Sequence, residues 1–238
     1  MKPDPRKAYG SIPHLIGSQA NGDKFVSIGQ HNIATKKPRD NHDKIIVQEK
    51  PDGSMCAILR KYDHLIPIGR NGHFCEDSPH LQHRIFHQWV MQHYEKFDFL
   101  KDGERLCGEW LIQAHGTKYK IISPYIVFDI MKGDYRLPYD KFVERLPKDF
   151  VMPYLLHQGG PCSIEEAMLK LGDLGYHGGL EQVEGAVWRV ERKGEVDFLT
   201  KFLRRSPETI GRYLGDKEIW NVDIKKFRKG LPWKINNE

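Results

Sequence analysis

The sequence predicts an α+β domain, and three observations lead there. Seven short runs rich in Ile, Val, Phe and Tyr, at 44–49, 54–60, 64–68, 105–112, 125–131, 185–190 and 196–203, have the composition and length of strands. Two helix signals interrupt them and a third follows the last run, so helices do not alternate with strands as a repeating βαβ order requires. The 238 residues carry no internal repeat, low-complexity tract or Pro/Gly-rich linker, which makes one principal core the simplest reading.

The first pair of runs is "IIVQEKPDGSMCAILR", residues 45–60. Three β-branched residues lead to Lys50, Asp52-Gly53 favours a tight turn, and a second apolar run follows, so a hairpin with Lys50 at the end of its first strand is expected. Taken alone, such a lysine is a solvated turn residue or protects a sheet edge. In "DSPHLQHRIFHQWVMQHYEKF", Ser78 can cap a helix whose first position is Pro79. His83 and His87 stand four apart on that helix, a spacing that can present two metal ligands. No further ligand stands at a supporting offset, so they read as surface polarity.

Glu109 interrupts the apolar run "LCGEWLI", where a buried carboxylate needs a partner. "CSIEEAMLKLGDLGY" carries an S-x-x-E capping box in Ser163 and Glu166, and the glycine-dense residues 172–185 read as a loop entering a strand. In "DFLTKFL" the alternation puts Lys201 on one face with Leu199 and Leu203, a place for a lysine that points into a cleft. "SPETIGRYL" predicts a last helix capped by Ser206.

No window approaches the roughly 18 uninterrupted apolar residues of a membrane span, and "MKPDPRKAYGS" has no apolar signal region. The four cysteines form no C-x-x-C, which argues against a zinc ribbon or a thioredoxin-like motif and for reduced thiols in a cytoplasmic protein. The net charge of +5 is concentrated: residues 201–238 hold ten Lys/Arg against five Asp/Glu, while the first 200 residues balance. A basic end suggests an acidic partner such as a phosphate backbone, or simply a solvated helix face.

Six elements in order, "EKPDGS", "IGRNG", "LCGEWLIQAHGTKY", "YIVFDI", "VEGAVWR" and "DFLTKFLRR", stand on or beside strand runs across most of the chain. Together they resemble the signature of the covalent nucleotidyltransferase superfamily, the ATP-dependent ligases and capping enzymes. Within it the chain is most similar to ATP-dependent RNA ligases of bacteria and phages, through "YGSIPHLIGS", "RNG" and "GEWLIQAH" with Tyr119 and "FDI". Ser54 and Met55 stand where DNA ligases usually carry an arginine, a departure that favours the RNA side.

The resemblance implies antiparallel sheets enclosing an ATP cleft, with residues 1–205 as the adenylyltransferase domain and 206–238 as a short basic helical appendage, too short for an OB domain. It implies Lys50 as the nucleophile toward the α-phosphate of ATP, which requires a depressed lysine pKa; Lys201 is the expected cationic neighbour. Glu184 would help hold Mg²⁺ or Mn²⁺. Glu109 would bind the ribose, Arg70 the ribose or phosphate, and Gln48 and Glu49 the adenine edge. Phe128 would stack on the adenine, although its neighbours make a core aromatic an equal reading. Arg204, Lys225, Lys226, Arg228 and Lys229, interleaved with Phe227 and Trp233, are candidates for RNA contact. The partner expected is RNA, as nicked duplex or single-stranded ends, with an end-healing or RNA-clamping protein supplying further surface and no membrane involved. A DNA ligase, a GTP-using capping enzyme and a non-catalytic RNA-binding module are the alternatives.

Overall fold

The computed structural model describes residues 7–20, 22, 24–204, 209, 211–214 and 218–229. All seven predicted runs are strands, in two antiparallel sheets. The smaller sheet has the order β7-β1-β8-β9, from β1 (Asp43–Lys50), β7 (Leu155–Gly159), β8 (Gly185–Arg192) and β9 (Glu195–Leu203). The larger has the order β3-β2-β4-β5-β6, from β2 (Ser54–Lys61), β3 (His64–Gly69), β4 (Glu104–Trp110), β5 (Tyr125–Lys132) and β6 (Tyr135–Arg136).

One expectation fails here. β1 and β2 do not form a hairpin, because Lys50 ends a strand of the smaller sheet while Ser54 begins one of the larger. The 51–53 connection crosses between sheets, and Gly53 is what lets it pass: a Cβ there would lie 2.5 Å from the carbonyl oxygen of Trp110 and 2.8 Å from a methyl of Leu111. Asp-Gly specifies a change of chain direction, but pairing is decided by which apolar face each strand must bury.

Each sheet hides one face under helices. Helix α2 (Leu81–Gln92) lays Ile85, Phe86 and Val90 on Cys56, Ile58, Leu106, Trp110 and Tyr125 of the larger sheet. The smaller sheet packs Ile45, Val47, Trp188 and Val190 against Ala34 of α1 (Ile28–Thr35) and Ala167 and Leu171 of α4 (Ile164–Leu171). A short helix α3 (Tyr139–Arg145) follows β6 and contributes Tyr139 and Phe142 to the first cluster. Residues 220–227 also close on that cluster, with Phe227 of α5 (Ile224–Lys229) edge-on to Trp110 at 6.1 Å between ring centroids.

The capping expectations hold in part. Ser163 caps α4 by accepting the Glu166 N–H at 3.1 Å, but the Glu166 carboxylate turns to Lys170 instead of closing a box. α2 begins two residues later than predicted: Ser78 accepts the His80 N–H at 3.2 Å, and His80 itself stands at the cap without a side-chain bond. The helix predicted from Ser206 lies outside the described residues. α1, α3, β6 and β7 were not predicted. α1 carries a closed capping box between Ser27 and Gln30, a legible signal, whereas β7, "LLHQG", is a five-residue edge strand with too little alternation to register.

The sheets meet at a buried ion pair. Arg189 of β8 donates to Asp129 of β5, Tyr9 donates to the other Asp129 oxygen at 2.5 Å, and all three side chains are buried. The segment around residues 8–19 runs beside β9, where Leu15 N donates to Lys201 O at 2.8 Å and Lys201 N to Pro13 O at 3.0 Å. No helix among the described residues is long and apolar enough to cross a membrane.

Candidate active site

Between the sheets lies a cleft of about 1230 Å³. The smaller sheet lines it with Gln48, Glu49, Lys50, Glu184, Leu199 and Lys201. The larger sheet and its loops add Arg70, Glu109, His115 and Phe128.

Strand register builds its centre. Lys50, the last residue of β1, pairs with Gly185, the first of β8, so the side chain of Glu184 arrives beside the lysine. The Lys50 ammonium donates to the Glu184 carboxylate. Gly185 has φ +156°, and a Cβ there would collide with the carbonyl of Phe202 in β9. Lys201 sits two residues along β9 from Leu199 and Leu203, and all three line the cleft as the alternation predicts. Burial raises the pKa of Glu184, and the charges of Lys50 and Lys201 work against that rise, so this carboxylate stands between two lysines.

The electrostatics of Lys50 differ from the expectation. Burial works against its ammonium, but Glu184, Glu109 and Asp52 outweigh burial and raise its pKa. A carboxylate, not a cation, is the near neighbour, so this geometry holds Lys50 protonated.

Across the cleft, Glu109 accepts the Gly53 N–H at 3.1 Å, which ties the sheet-crossing turn to β4. Burial pushes its carboxyl up to about 7 against the pull of Lys50. Phe128 lines the cleft and meets Tyr9 edge-on at 5.1 Å. Arg70 is at the exposed rim, donating to Ser11 Oγ at 3.1 Å. The Gln48 amide donates to Pro153 O at 3.1 Å. Glu49 is almost fully buried; its carboxylate accepts the Tyr176 N–H at 2.9 Å and packs toward Gly175, so the side chain serves the 172–183 loop.

The candidate RNA contacts are not brought together with these groups. The Arg204 guanidinium donates to the carbonyls of Val183 at 2.8 Å, Gly172 at 2.7 Å and Asp173 at 2.9 Å, clasping the loop that delivers Glu184. Lys225, Lys226, Arg228 and Lys229 lie on α5, which packs through Phe227 on the α2-covered side of the larger sheet, and none of them lines the cleft.

Several cleft residues had no role in the sequence reading. Tyr9 and His14 come from the N-terminal segment, and His80 and His83 from the start of α2. His80, His83 and His115 form one wall. Burial lowers His83 and His115 to about 4, helped by other histidines and, at His115, by Lys50, so these two rings are uncharged at neutral pH. Asp129 and Arg189 also line the floor, and their signal was present: each is a charge embedded in an otherwise apolar strand. Asp52, read only as a turn former, accepts the Gly116 N–H at 2.7 Å, while its own N–H donates to the Tyr119 hydroxyl. Asp52, Glu109 and Glu184 give the cleft the oxygen donors a hard divalent cation prefers.

A family model described as RNA ligase matches residues 43–203, from the first residue of β1 to the last of β9. No curated protein sequence matches the chain. Among solved structures, a point mutant of the Naegleria gruberi RNA ligase with ATP and Mn superposes with a TM-score of 0.58 at 17% identity, covering 85% of this chain and 57% of that one. The same protein with PPi gives 0.56 at 16% identity over the same shares. A further mutant with AMP and Mn gives 0.52 at 17% identity, covering 80% of this chain and 59% of that one. At such identities the likeness is one of fold. This chain spans less than two thirds of the length of the N. gruberi chain it matches.

Proposed function

The chain belongs to the RNA ligase family, and from that premise we propose that it is an ATP-dependent RNA ligase whose nucleophile is Lys50. The domain of residues 1–205 is then an adenylyltransferase fold with its ATP site in the cleft, and 206–238 is a basic extension. The observation that carries this reading is convergence: Lys50, Glu184 and Lys201 from one sheet face Glu109 and Phe128 from the other across one cleft, with Arg70 at the rim.

The reaction has three steps. The Lys50 amine attacks the α-phosphorus of ATP; a P–N bond forms, the bond to the β-phosphate oxygen breaks, and pyrophosphate leaves. An oxygen of the RNA 5′-phosphate then attacks the adenylyl phosphorus; a P–O bond forms, the P–N bond breaks, and the lysine nitrogen takes a proton as it leaves. Finally the 3′-hydroxyl attacks the activated 5′-phosphate and AMP leaves.

Lys50 can begin only after losing a proton, and Glu184 opposes that loss. Glu184 must therefore be engaged elsewhere when ATP binds. Lys201 already acts on it from β9. A divalent cation, Mg²⁺ or Mn²⁺, held by Glu184 would supply positive charge against the phosphate oxygens. Glu109 suits the ribose hydroxyls, Phe128 the adenine face, Arg70 the phosphates, and Gln48 and Glu49 border the base. RNA, as nicked duplex or free ends, is the substrate; Arg204 and the α5 cations Lys225, Lys226, Arg228 and Lys229 are its proposed contacts, with a partner protein completing the clamp. Four buried free thiols suit a cytoplasmic setting.

Intact mass spectrometry after incubation with ATP and Mg²⁺ tests the reading. The protein should gain the mass of one AMP, and Lys50→Ala should gain nothing. A folded wild type that stays unmodified refutes the reading and leaves the non-catalytic RNA binder. GTP in place of ATP, and nicked DNA in place of nicked RNA, separate capping enzyme and DNA ligase from RNA ligase.

A further inference from the structure

We propose that His157, Cys162 and Glu166 form a binding site for one divalent ion of the zinc class, outside the cleft and independent of the ligase reading. His157 lies on the edge strand β7, Cys162 in the loop that follows, and Glu166 in the first turn of α4. One ligand atom from each, imidazole nitrogen, thiol sulfur and carboxylate oxygen, lies within 4.8 Å of the other two. With bonds of about 2.0–2.3 Å, tetrahedral zinc holds its ligands about 3.3–3.8 Å apart. The contraction required is on the order of 1 Å, within reach of the exposed Glu166 side chain. A thiol and an imidazole in the set select zinc-like ions over magnesium or calcium.

The surroundings orient this set, and an ion must displace the proton of the Cys162 thiol, which donates to Ser163 O at 3.6 Å. His157 Nε2 is 2.8 Å from the Gly160 carbonyl, which can only accept, so Nε2 carries a proton and Nδ1 is the nitrogen turned toward Glu166. That arrangement, one nitrogen bonded to a backbone carbonyl and the other left open, is how metal-bound histidines are oriented. Nδ1 stands 3.8 Å from Glu166 Oε1, itself an acceptor. An ion held between the two would take the place of Lys170, whose ammonium donates to the same Oε1 at 2.8 Å.

Cys162 is fixed from both sides. Its N–H donates to Ala34 O at 3.1 Å and its carbonyl accepts from Trp188 Nε1 at 3.0 Å, so the backbone that carries this buried side chain is held in place. Lys170 partners Glu166 at 2.8 Å; it is 43% exposed on its side chain and returns to water when the carboxylate turns. Solvent reaches the site from the Glu166 side, and a water supplies the fourth ligand. The ion would pin β7 to α4. β7 pairs with β1 through an irregularity between Val47 and Gln48, so the site steadies the strand that ends in Lys50.

The test uses the full chain, freed of metal with a chelator and titrated with Co²⁺ in excess Mg²⁺, so that oxygen-only sites are already filled. Binding of one Co²⁺ per chain with a sulfur-to-cobalt charge-transfer band, displaced by Zn²⁺ and absent in Cys162→Ser, supports the site. His157→Gln, a change at a partly exposed side chain, should weaken Co²⁺ binding about tenfold or more while the far-ultraviolet circular dichroism stays that of the wild type. It also decides the matter if Cys162→Ser fails to fold. A wild-type spectrum without the sulfur band, or a band that survives His157→Gln at unchanged affinity, overturns the proposal.

Discussion

Lys50 and Glu184 are brought into contact by register: the last residue of β1 pairs with the first of β8, and the carboxylate one step before that strand accepts from the lysine. Of the three carboxylates that hold the proposed nucleophile protonated, Glu184 contributes most. Glu184→Gln removes the carboxylate and with it the largest support of the Lys50 ammonium, so the lysine pKa should fall. In competitive labelling with an amine-reactive reagent across pH, Lys50 of the variant should react about tenfold faster near neutrality for each unit of fall. Lysyl-AMP formation should drop in the same variant, because the proposed metal ligand is removed. Unchanged labelling would show that Glu184 does not control the lysine.

Glu49 offers a stability prediction with a definite sign. Burial pushes its carboxyl from 4.5 up to about 7, against the Tyr176 N–H and the charge of Arg204. The unfolded chain therefore ionises first, and the folded chain loses stability as pH rises from about 4.5 to about 7. Glu49→Gln should be more favourable at pH 8 than at pH 4, by at most about 3 kcal/mol in urea unfolding. His177 next to it has the opposite sign: burial lowers it from 6.5 to about 4, so stability is lost as pH falls through that window. A difference between Glu49→Gln and wild type that is the same at both pH values would contradict the account.

Much of the fold was legible because its strands are short β-branched and aromatic runs, continuous in "IIVQEK", which is buried on both faces, and two-faced in "DFLTKFL", which is partly exposed. The connection at Asp52-Gly53 was misread because turn chemistry is local, while assignment to a sheet depends on pairing with β8 and β4, which are 135 and 56 residues from Lys50 and Ser54 in register. The cleft's lysines and carboxylates stood out as charges inside apolar runs. Its histidine wall did not, since α2 and the loop bearing His115 come together through tertiary contacts, Phe86 on Trp110 and Gln82 on His115. The electrostatic expectation for Lys50 failed for the same reason: sequence spacing gives no account of which charge a register delivers.

Gly185 is the position at which that register is most exposed to steric change. Gly185→Ala forces β8 away from the Phe202 carbonyl of β9, beside both Glu184 and Lys50. Overpacking of this kind costs about 1–3 kcal/mol, and here the backbone must move, so the upper end is expected in thermal unfolding. Labelling with ATP should fall more than stability does. Wild-type stability and labelling together would mean that β8 accommodates a side chain at this point.

Asp129 and Arg189 join the sheets beneath the cleft, both nearly inaccessible to water. Asp129→Asn removes the nearer counter-charge of the buried guanidinium, leaving Glu191 at 3.9 Å, and also that of Arg136 at 3.6 Å, a loss of up to about 3–5 kcal/mol. Adding Arg189→Met should recover part of that loss, since the uncompensated charge is gone. If the double variant is no more stable than the single, the cost lies in the Tyr9 hydroxyl and packing, not in the stranded arginine.

The charges of α5 are separated from the cleft by the larger sheet. Phe227 anchors the helix on Trp110, and Lys225, Lys226 and Lys229 are exposed on it. If RNA crosses this face, those lysines act on phosphates alone, and the signature is a salt slope, not base preference. Converting the three to Gln should reduce the slope of log K against log salt for RNA by about 0.7–0.9 for each phosphate that is no longer neutralised. Lysyl-AMP formation reads the cleft alone and reports in the same sample that the domain remains folded. A slope equal to that of the wild type would place the RNA path wholly on the cleft side, along Arg70 and the histidine wall.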